Sequence, residues 1–140
     1  MMTVQKPAPR PSDHSRLFWE ACQRHELRIQ QCTVCKALLH YPKVRCPNDG
    51  SDRFDWCAVS GRGTVFSYIV VHRAFHAAFM PDLPYVVAVV ELEEGVRLMS
   101  NVIGVDHGDV RVGMPVHLTW DDASGPYPLP KFTPLKSDSK

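Results

Sequence analysis

Cys32 and Cys35 stand two residues apart in "QCTVC", and Cys46 follows in "RCPNDGSD" with Pro47 beside it and Gly50 beyond. Thiolates at this spacing are the ligands of a metal knuckle, a tight turn that aims two side chains at one ion. Two such knuckles should repeat as Cys-Pro-x-Cys-Gly. Here the second reads Cys46-Pro47-Asn48-Asp49-Gly50, with a carboxylate in place of the last thiolate. A carboxylate oxygen reaches zinc at about the distance of an imidazole nitrogen. Three thiolates and one carboxylate also carry the formal charge of four thiolates. A hard oxygen in place of a soft sulfur lowers the affinity. The expected site is structural zinc on Cys32, Cys35, Cys46 and Asp49, and the alternative is a metal-free ribbon held by packing. A redox iron centre needs four thiolates and does not suit this set. Nothing nearby supplies the open position and supporting base of a catalytic zinc.

Other donors compete for the fourth position. Cys57 lies eleven residues beyond Cys46, in a segment expected to be a strand leaving the ribbon, so its thiol need not face the metal. His40 is mid-way along the return segment and too far. Cys22 falls on a helix and reads as a small hydrophobe. Lys36 occupies the position after the first knuckle where Gly usually supplies a left-handed backbone, at a tolerable cost of about 1 kcal/mol.

The elements that must position these residues follow from periodicity. Residues 12–26, "SDHSRLFWEACQRHE", predict a helix capped by Ser12 or Asp13, with Leu17, Phe18, Ala21 and Cys22 as its apolar stripe. "LRIQQC" alternates as a strand into the first knuckle, "LLHYPKVRC" returns to the second, and "FDWC" leads out. So short a segment cannot build a core unaided, which is where small modules use a structural metal. Beyond it, "GRGTVFSYIVVHRAF", "YVVAVVELEEGVRLMSNVIG", "VGMPV" and a Pro-broken "SGPYPLPKFTPL" give four or five strands with short turns. That count suits a small Greek-key barrel of the OB type. The division is a flexible arm and helix over 1–27, a ribbon over 28–57 and a barrel over 58–136, a mainly β chain.

Composition narrows the function. The chain has 140 residues, 44% hydrophobic and 22% charged, with net charge +1. So balanced a charge lacks the basic face of a duplex-DNA binder. The longest apolar run, Tyr85 to Val90, is strand-sized, and the first residues lack an apolar signal core, so a cytosolic protein without membrane contact is expected. Five Cys in such a compartment argue against a disulfide framework. In "VVHRAFHAAF", Arg73 suits a phosphate, and Phe75 and His76 suit a ligand or partner contact. Lys131 and Phe132 of "LPKFTP" could lie against a partner. Glu91, Glu93 and Glu94 read as a solvated hairpin end around Gly95, and Asp121 and Asp122 equally as solvated. The glycines of "GRGT" favour a bulge or tight barrel entry over a phosphate loop, since no helix follows. Trp56, Phe66, Tyr68 and Trp120 could stack single-stranded nucleic acid, but Lys and Arg do not gather on their strands, so core packing is the simpler role.

Together, "LFWEA", the Cys spacing, "GRGTVFSY", "PYVVAVVEL", "GVRLMSN", "VGMPV" and "LPKFTP" resemble the zinc-ribbon/OB-fold family of acyl-CoA-associated proteins over roughly residues 15–135. The resemblance implies a rubredoxin-like zinc ribbon followed by a five-stranded OB-fold barrel. It also implies a small non-catalytic partner of a thiolase-like or MaoC-like (hydratase) enzyme that orders the partner's active site and helps hold acyl-CoA. The alternative from another class is a single-stranded nucleic-acid-binding OB-fold protein, and an independent enzyme is disfavoured by the absence of a nucleophile–base grouping in the sequence.

Overall fold

The computed structural model describes residues 8–73, 76–123 and 125–135. One short helix, α1 (Arg16–Gln23), precedes two β assemblies. The first is a three-stranded sheet of β1 (Arg28–Cys32), β2 (Leu38–Leu39) and β3 (Phe54–Ala58), with β1 central and both neighbours antiparallel. The second is a closed barrel of β4 (Arg62–Val71), β5 (Tyr85–Leu92), β6 (Arg97–Val102), β7 (Pro115–Asp121) and β8 (Leu129–Pro134), in the order β4-β5-β6-β8-β7. Among the described residues no helix is long and apolar enough to cross a membrane.

The helix is shorter than its sequence pattern. Residues 12–15 form a turn in which Ser12 C=O accepts from the Ser15 N–H at 3.1 Å. Ser15 takes the cap position without a side-chain bond, so neither Ser12 nor Asp13 caps the helix. Its C-terminus closes as a Schellman turn: the Glu26 N–H donates to Ala21 C=O and the His25 N–H to Cys22 C=O, each at 2.9 Å. His25 supplies the left-handed residue at φ 58°, a place more often filled by Gly. Of the expected stripe, Phe18, Ala21 and Cys22 are buried and Leu17 is exposed.

The barrel strands alternate as their sequences do. In β5 every second residue, Val86, Ala88, Val90 and Leu92, is buried. The register of β4 against β5 slips between Val65 and Ser67, a bulge that leaves Phe66 half-exposed. Gly63 is obligatory for contact: a Cβ there would lie 2.4 Å from the Glu91 carbonyl oxygen. The "LPKFTP" segment is a full strand. Its prolines are tolerated because β8 pairs along its length with β7 alone, meeting β6 in parallel only at Val102 and Phe132. Ser100 donates to the Pro130 carbonyl at 2.7 Å and the Ile103 N–H to the Phe132 carbonyl at 2.8 Å, which closes the barrel.

One core runs through helix, ribbon and barrel. Phe18, Cys22, Leu27 and Ile29 belong to the same buried cluster as Val65, Val90, Leu92 and Phe132. A second cluster holds only Cys32, Leu39 and Cys46, with Ala37 and Phe54 at its edge. Phe132 is wholly buried in the main core. The expectation that it contacts a partner is thereby corrected: "LPKFTP" is a barrel strand, and strand alternation turns this ring inward.

Candidate metal centre

The two knuckles are near-copies of one another. In the first, Cys32 N–H donates to Ala37 C=O at 3.0 Å, and Cys32 C=O accepts from the Lys36 N–H at 2.9 Å. In the second, Cys46 N–H donates to Ser51 C=O at 2.7 Å, and Cys46 C=O accepts from the Gly50 N–H at 2.8 Å. Each turn needs a left-handed residue four positions after its first ligand. Lys36 provides it at φ 68° and Gly50 at φ 76°. By this correspondence Asp49 occupies the place that Cys35 holds in the first knuckle.

The turns bring four ligand atoms together. The Sγ atoms of Cys32, Cys35 and Cys46 and a carboxylate oxygen of Asp49 all lie within 4.8 Å of one another. Cys35 Sγ is 3.6 Å from Cys46 Sγ, and Asp49 Oδ2 is 3.5 Å from Cys32 Sγ. A tetrahedral zinc with bonds of about 2.1–2.3 Å sets its ligands about 3.5–3.8 Å apart, so the residues present fit the ion. Among the described residues this is the one convergence of three or more His, Cys, Asp or Glu side chains.

Backbone donors prepare the sulfurs. The Cys35 N–H points at Cys32 Sγ (3.5 Å) and the Asn48 N–H at Cys46 Sγ (3.4 Å). The Cys35 N–H holds the Cys32 thiol below its ordinary pKa. Burial instead pushes Cys46 up to about 11, so a metal must displace its proton on binding. The Ser51 N–H donates to Asp49 Oδ1 at 2.9 Å and holds that carboxyl below the usual range, ionised and ready to ligate. Cys32 and Cys46 are buried, whereas Cys35 and Asp49 lie at the surface.

The remaining candidates fall elsewhere. Cys57 donates to Gln31 Oε1 at 2.8 Å on the neighbouring strand, away from the cluster. Cys22 is wholly buried, and burial pushes its thiol up to about 12. His40 packs against Phe18. Arg73 and His76 are exposed on the loop after β4, and Phe75 lies outside the described residues. His76 Nδ1 accepts from the Ala78 N–H at 3.0 Å, capping the short 3-10 turn Ala77–Asp82. Lys131 is five-sixths buried and paired with Asp121 at 2.9 Å, so Asp121 is not the solvated acid its sequence suggests. Asp122 does stay exposed and meets His25 Nε2 at 2.7 Å. The hairpin carboxylates are surface ion pairs, Glu91 with Arg97 and Glu93 with Arg62. Trp56, Tyr68 and Trp120 pack on the core, and Arg97 stacks 3.7 Å above the Phe66 ring.

Sequence reasoning missed Gln30. This buried amide grips the segment between the knuckles with both ends: its Nε2 donates to Lys43 C=O at 2.8 Å, and its Oε1 accepts from the Lys43 N–H at 2.6 Å. Its signal is weak, because alternation in "RIQQC" does not tell which Gln faces inward.

Comparison with known proteins agrees with this architecture. Residues 19–55 match the family model described as the ChsH2 rubredoxin-like zinc ribbon domain, and residues 56–121 match the ChsH2 C-terminal OB-fold domain. The chain is 46% identical over 139 residues to a probable enoyl-CoA hydratase alpha subunit of Thermomonospora curvata, covering 94% of this chain and 42% of that protein. It therefore spans about two-fifths of that relative's length. It is 34% identical over 95 residues to a DUF35 domain-containing scaffold protein of Methanocaldococcus jannaschii, covering 67% of each. Among solved structures, a chain of the Ltp2-ChsH2(DUF35) aldolase superposes with a TM-score of 0.83 at 41% identity, covering 91% of this chain and 98% of that one.

Proposed function

The chain belongs to the ChsH2 family of zinc-ribbon and OB-fold proteins, the DUF35 group, and we propose that it is a non-catalytic accessory subunit of an acyl-CoA-processing complex. The observation that carries this is the match, over 91% of this chain, to 98% of a chain solved as the Ltp2-ChsH2(DUF35) aldolase. The partner is a hydratase or an aldolase, the two activities that the relatives' names specify, and within the aldolases we take the thiolase-like kind. The small chain would order the partner's active site and help hold the acyl-CoA. Arg73 and His76, exposed after β4, are the proposed contacts for acyl-CoA or partner.

Cys32, Cys35, Cys46 and Asp49 would hold zinc, which supplies no reaction but fixes the two knuckles against each other. With four protein ligands, no position is left for an activated water.

The test is purification of the tagged chain from its own cells, followed by mass spectrometry of what accompanies it. Stoichiometric recovery of a hydratase-like or thiolase-like enzyme supports the proposal and names the chemistry. Recovery of nucleic acid that high salt removes would overturn it in favour of single-strand binding.

A further inference from the structure

Of the five cysteines, Cys35 alone is exposed. Cys22, Cys32 and Cys46 are buried, and Cys57 is half-buried against Gln31. An oxidant arriving from solvent therefore meets Cys35 first. Its sulfur leans on the opposite knuckle. Cys35 Sγ touches Cys46 Sγ at 3.6 Å, and Asn48 Nδ2 donates to it at 3.8 Å. Cys32 Sγ instead meets the Asp49 carboxylate, 3.5 Å from Oδ2. The four ligands thus fall into two pairs, one of two sulfurs and one of a sulfur and a carboxylate.

This pairing matters because a carboxylate takes no part in thiol oxidation. In a site of four thiolates, joining two sulfurs leaves two thiolates behind. Here it leaves one thiolate and one carboxylate, Cys32 and Asp49. For a borderline-soft ion that remnant is the weaker one, and it is two ligands short of a closed structural site. A single two-electron oxidation therefore suffices to empty the cluster.

We propose that Cys35 and Cys46 are a redox couple, which a hydroperoxide closes into a disulfide that expels the zinc and takes its place as the tie between the knuckles. The inference rests on zinc being held by Cys32, Cys35, Cys46 and Asp49, and not on the accessory-subunit proposal. With hydrogen peroxide, the Cys35 sulfur attacks one oxygen: an S–O bond forms, the O–O bond breaks, and the departing hydroxide takes a proton to become water. Cys35 is then a sulfenic acid. The shielded Cys46 sulfur attacks the Cys35 sulfur: the S–S bond forms, the S–O bond breaks, and a second hydroxide leaves as water. Two thiolates lose two electrons, the peroxide gains them, and two protons come from solvent. A dithiol reductant reverses the bond and restores the ligands. Because the disulfide joins the same two turns that the ion braced, the ribbon tip stays ordered after the metal has gone.

The test treats the full zinc-loaded chain with hydrogen peroxide. Released zinc is followed with a chromogenic chelator, and disulfides are mapped by mass spectrometry of unreduced peptides after free thiols are alkylated. Zinc should leave completely as two of the five thiols disappear into a Cys35–Cys46 bridge, and dithiothreitol with added zinc should reload the site. Amides of residues 32–50 should exchange at least tenfold more slowly in the oxidised, zinc-free chain than in the reduced chain stripped by chelator. Cys57→Ser should release zinc at the wild-type rate; if it fails to fold, the wild-type peptide map decides alone. Zinc retained after peroxide, a Cys32–Cys35 bridge, oxidation without any bridge, or equal exchange in the oxidised and stripped chains would each overturn the proposal while leaving the zinc assignment intact. A chain that holds no zinc before peroxide would overturn the zinc assignment and this inference with it.

Discussion

Asp49→Ala tests the metal centre at the residue where it departs from four thiolates. Structural zinc binds small domains with roughly 10–16 kcal/mol, so one ligand of four is worth on average about 2.5–4 kcal/mol. A hard oxygen among soft sulfurs belongs at the low end. A loss of about 3 kcal/mol lowers zinc affinity by somewhat more than a hundredfold. The same change removes the acceptor of the Ser51 N–H, a 2.9 Å bond that closes the second knuckle and contributes about 1 kcal/mol. Asp49→Asn separates the two effects, since its amide oxygen can still accept that N–H but carries no charge. With free zinc about a hundredfold above the wild-type dissociation constant, binding adds about 2.7 kcal/mol of stability, nearly all of which the Ala variant should lose. The assay is zinc content after equilibration with a competing chelator, with amide exchange over residues 32–50 as the structural readout. Equal zinc retention in wild type and Asp49→Ala would refute Asp49 as a ligand. Retention lost in both Asp49→Ala and Asp49→Asn, with exchange accelerated only in residues 32–50, is the expected result.

Three further outcomes follow from the geometry. His40 ionises near pH 4 in the folded chain against 6.5 ordinarily, so between those values the unfolded chain takes up a proton that the folded chain refuses. Stability should fall by roughly 3 kcal/mol as pH drops from 6.5 to 4, and the difference between wild type and His40→Phe in denaturant titrations isolates that slope from metal loss. Gly63→Ala drives a Cβ to within 2.4 Å of the Glu91 carbonyl and should cost about 1–3 kcal/mol. Gly95→Ala, at φ 95° with nothing within 4 Å, should cost only the backbone strain of about 1 kcal/mol, so equal melting temperatures for the two would contradict the close approach. Phe132→Ala should lower stability by about 3–5 kcal/mol, as measured by chemical denaturation. A normal midpoint would mean that the ring is not in the barrel core.

The metal cluster and the barrel were legible because their signals are local. Cys spacing and the Pro47/Gly50 frame encode a turn that needs no distant partner, and Lys36 at φ 68° shows that the backbone demand persists where Gly has been replaced. The strict alternation of "YVVAVVEL" encodes a half-buried strand. What escaped depends on residues far apart in sequence. Phe132 is inward because β8 pairs with β7, which its prolines obscure. Lys131 and Asp121 become a shielded pair only when those strands meet. The helix stops at Gln23 because His25 adopts a left-handed turn, a role composition does not assign to His.

The two buried clusters explain why this fold would want a metal that does no chemistry. The base of the ribbon is anchored, since Leu27 and Ile29 share the main core with the barrel and β1 pairs with β3 over five residues. Its tip has only Cys32, Leu39 and Cys46 in its buried apolar cluster, and two of these three are proposed ligands. Burying one leucine is worth about 2–3 kcal/mol. That cannot order the nineteen residues from Cys32 to Gly50, where fixing the backbone costs about 1–2 kcal/mol each. β2 adds only two paired residues and Gln30 a single clamp. An ion held by three thiolates and a carboxylate would supply the cross-link between the two knuckles that packing at the tip lacks. Its removal should therefore loosen the tip as a local unit while the barrel and the base of the ribbon keep their structure.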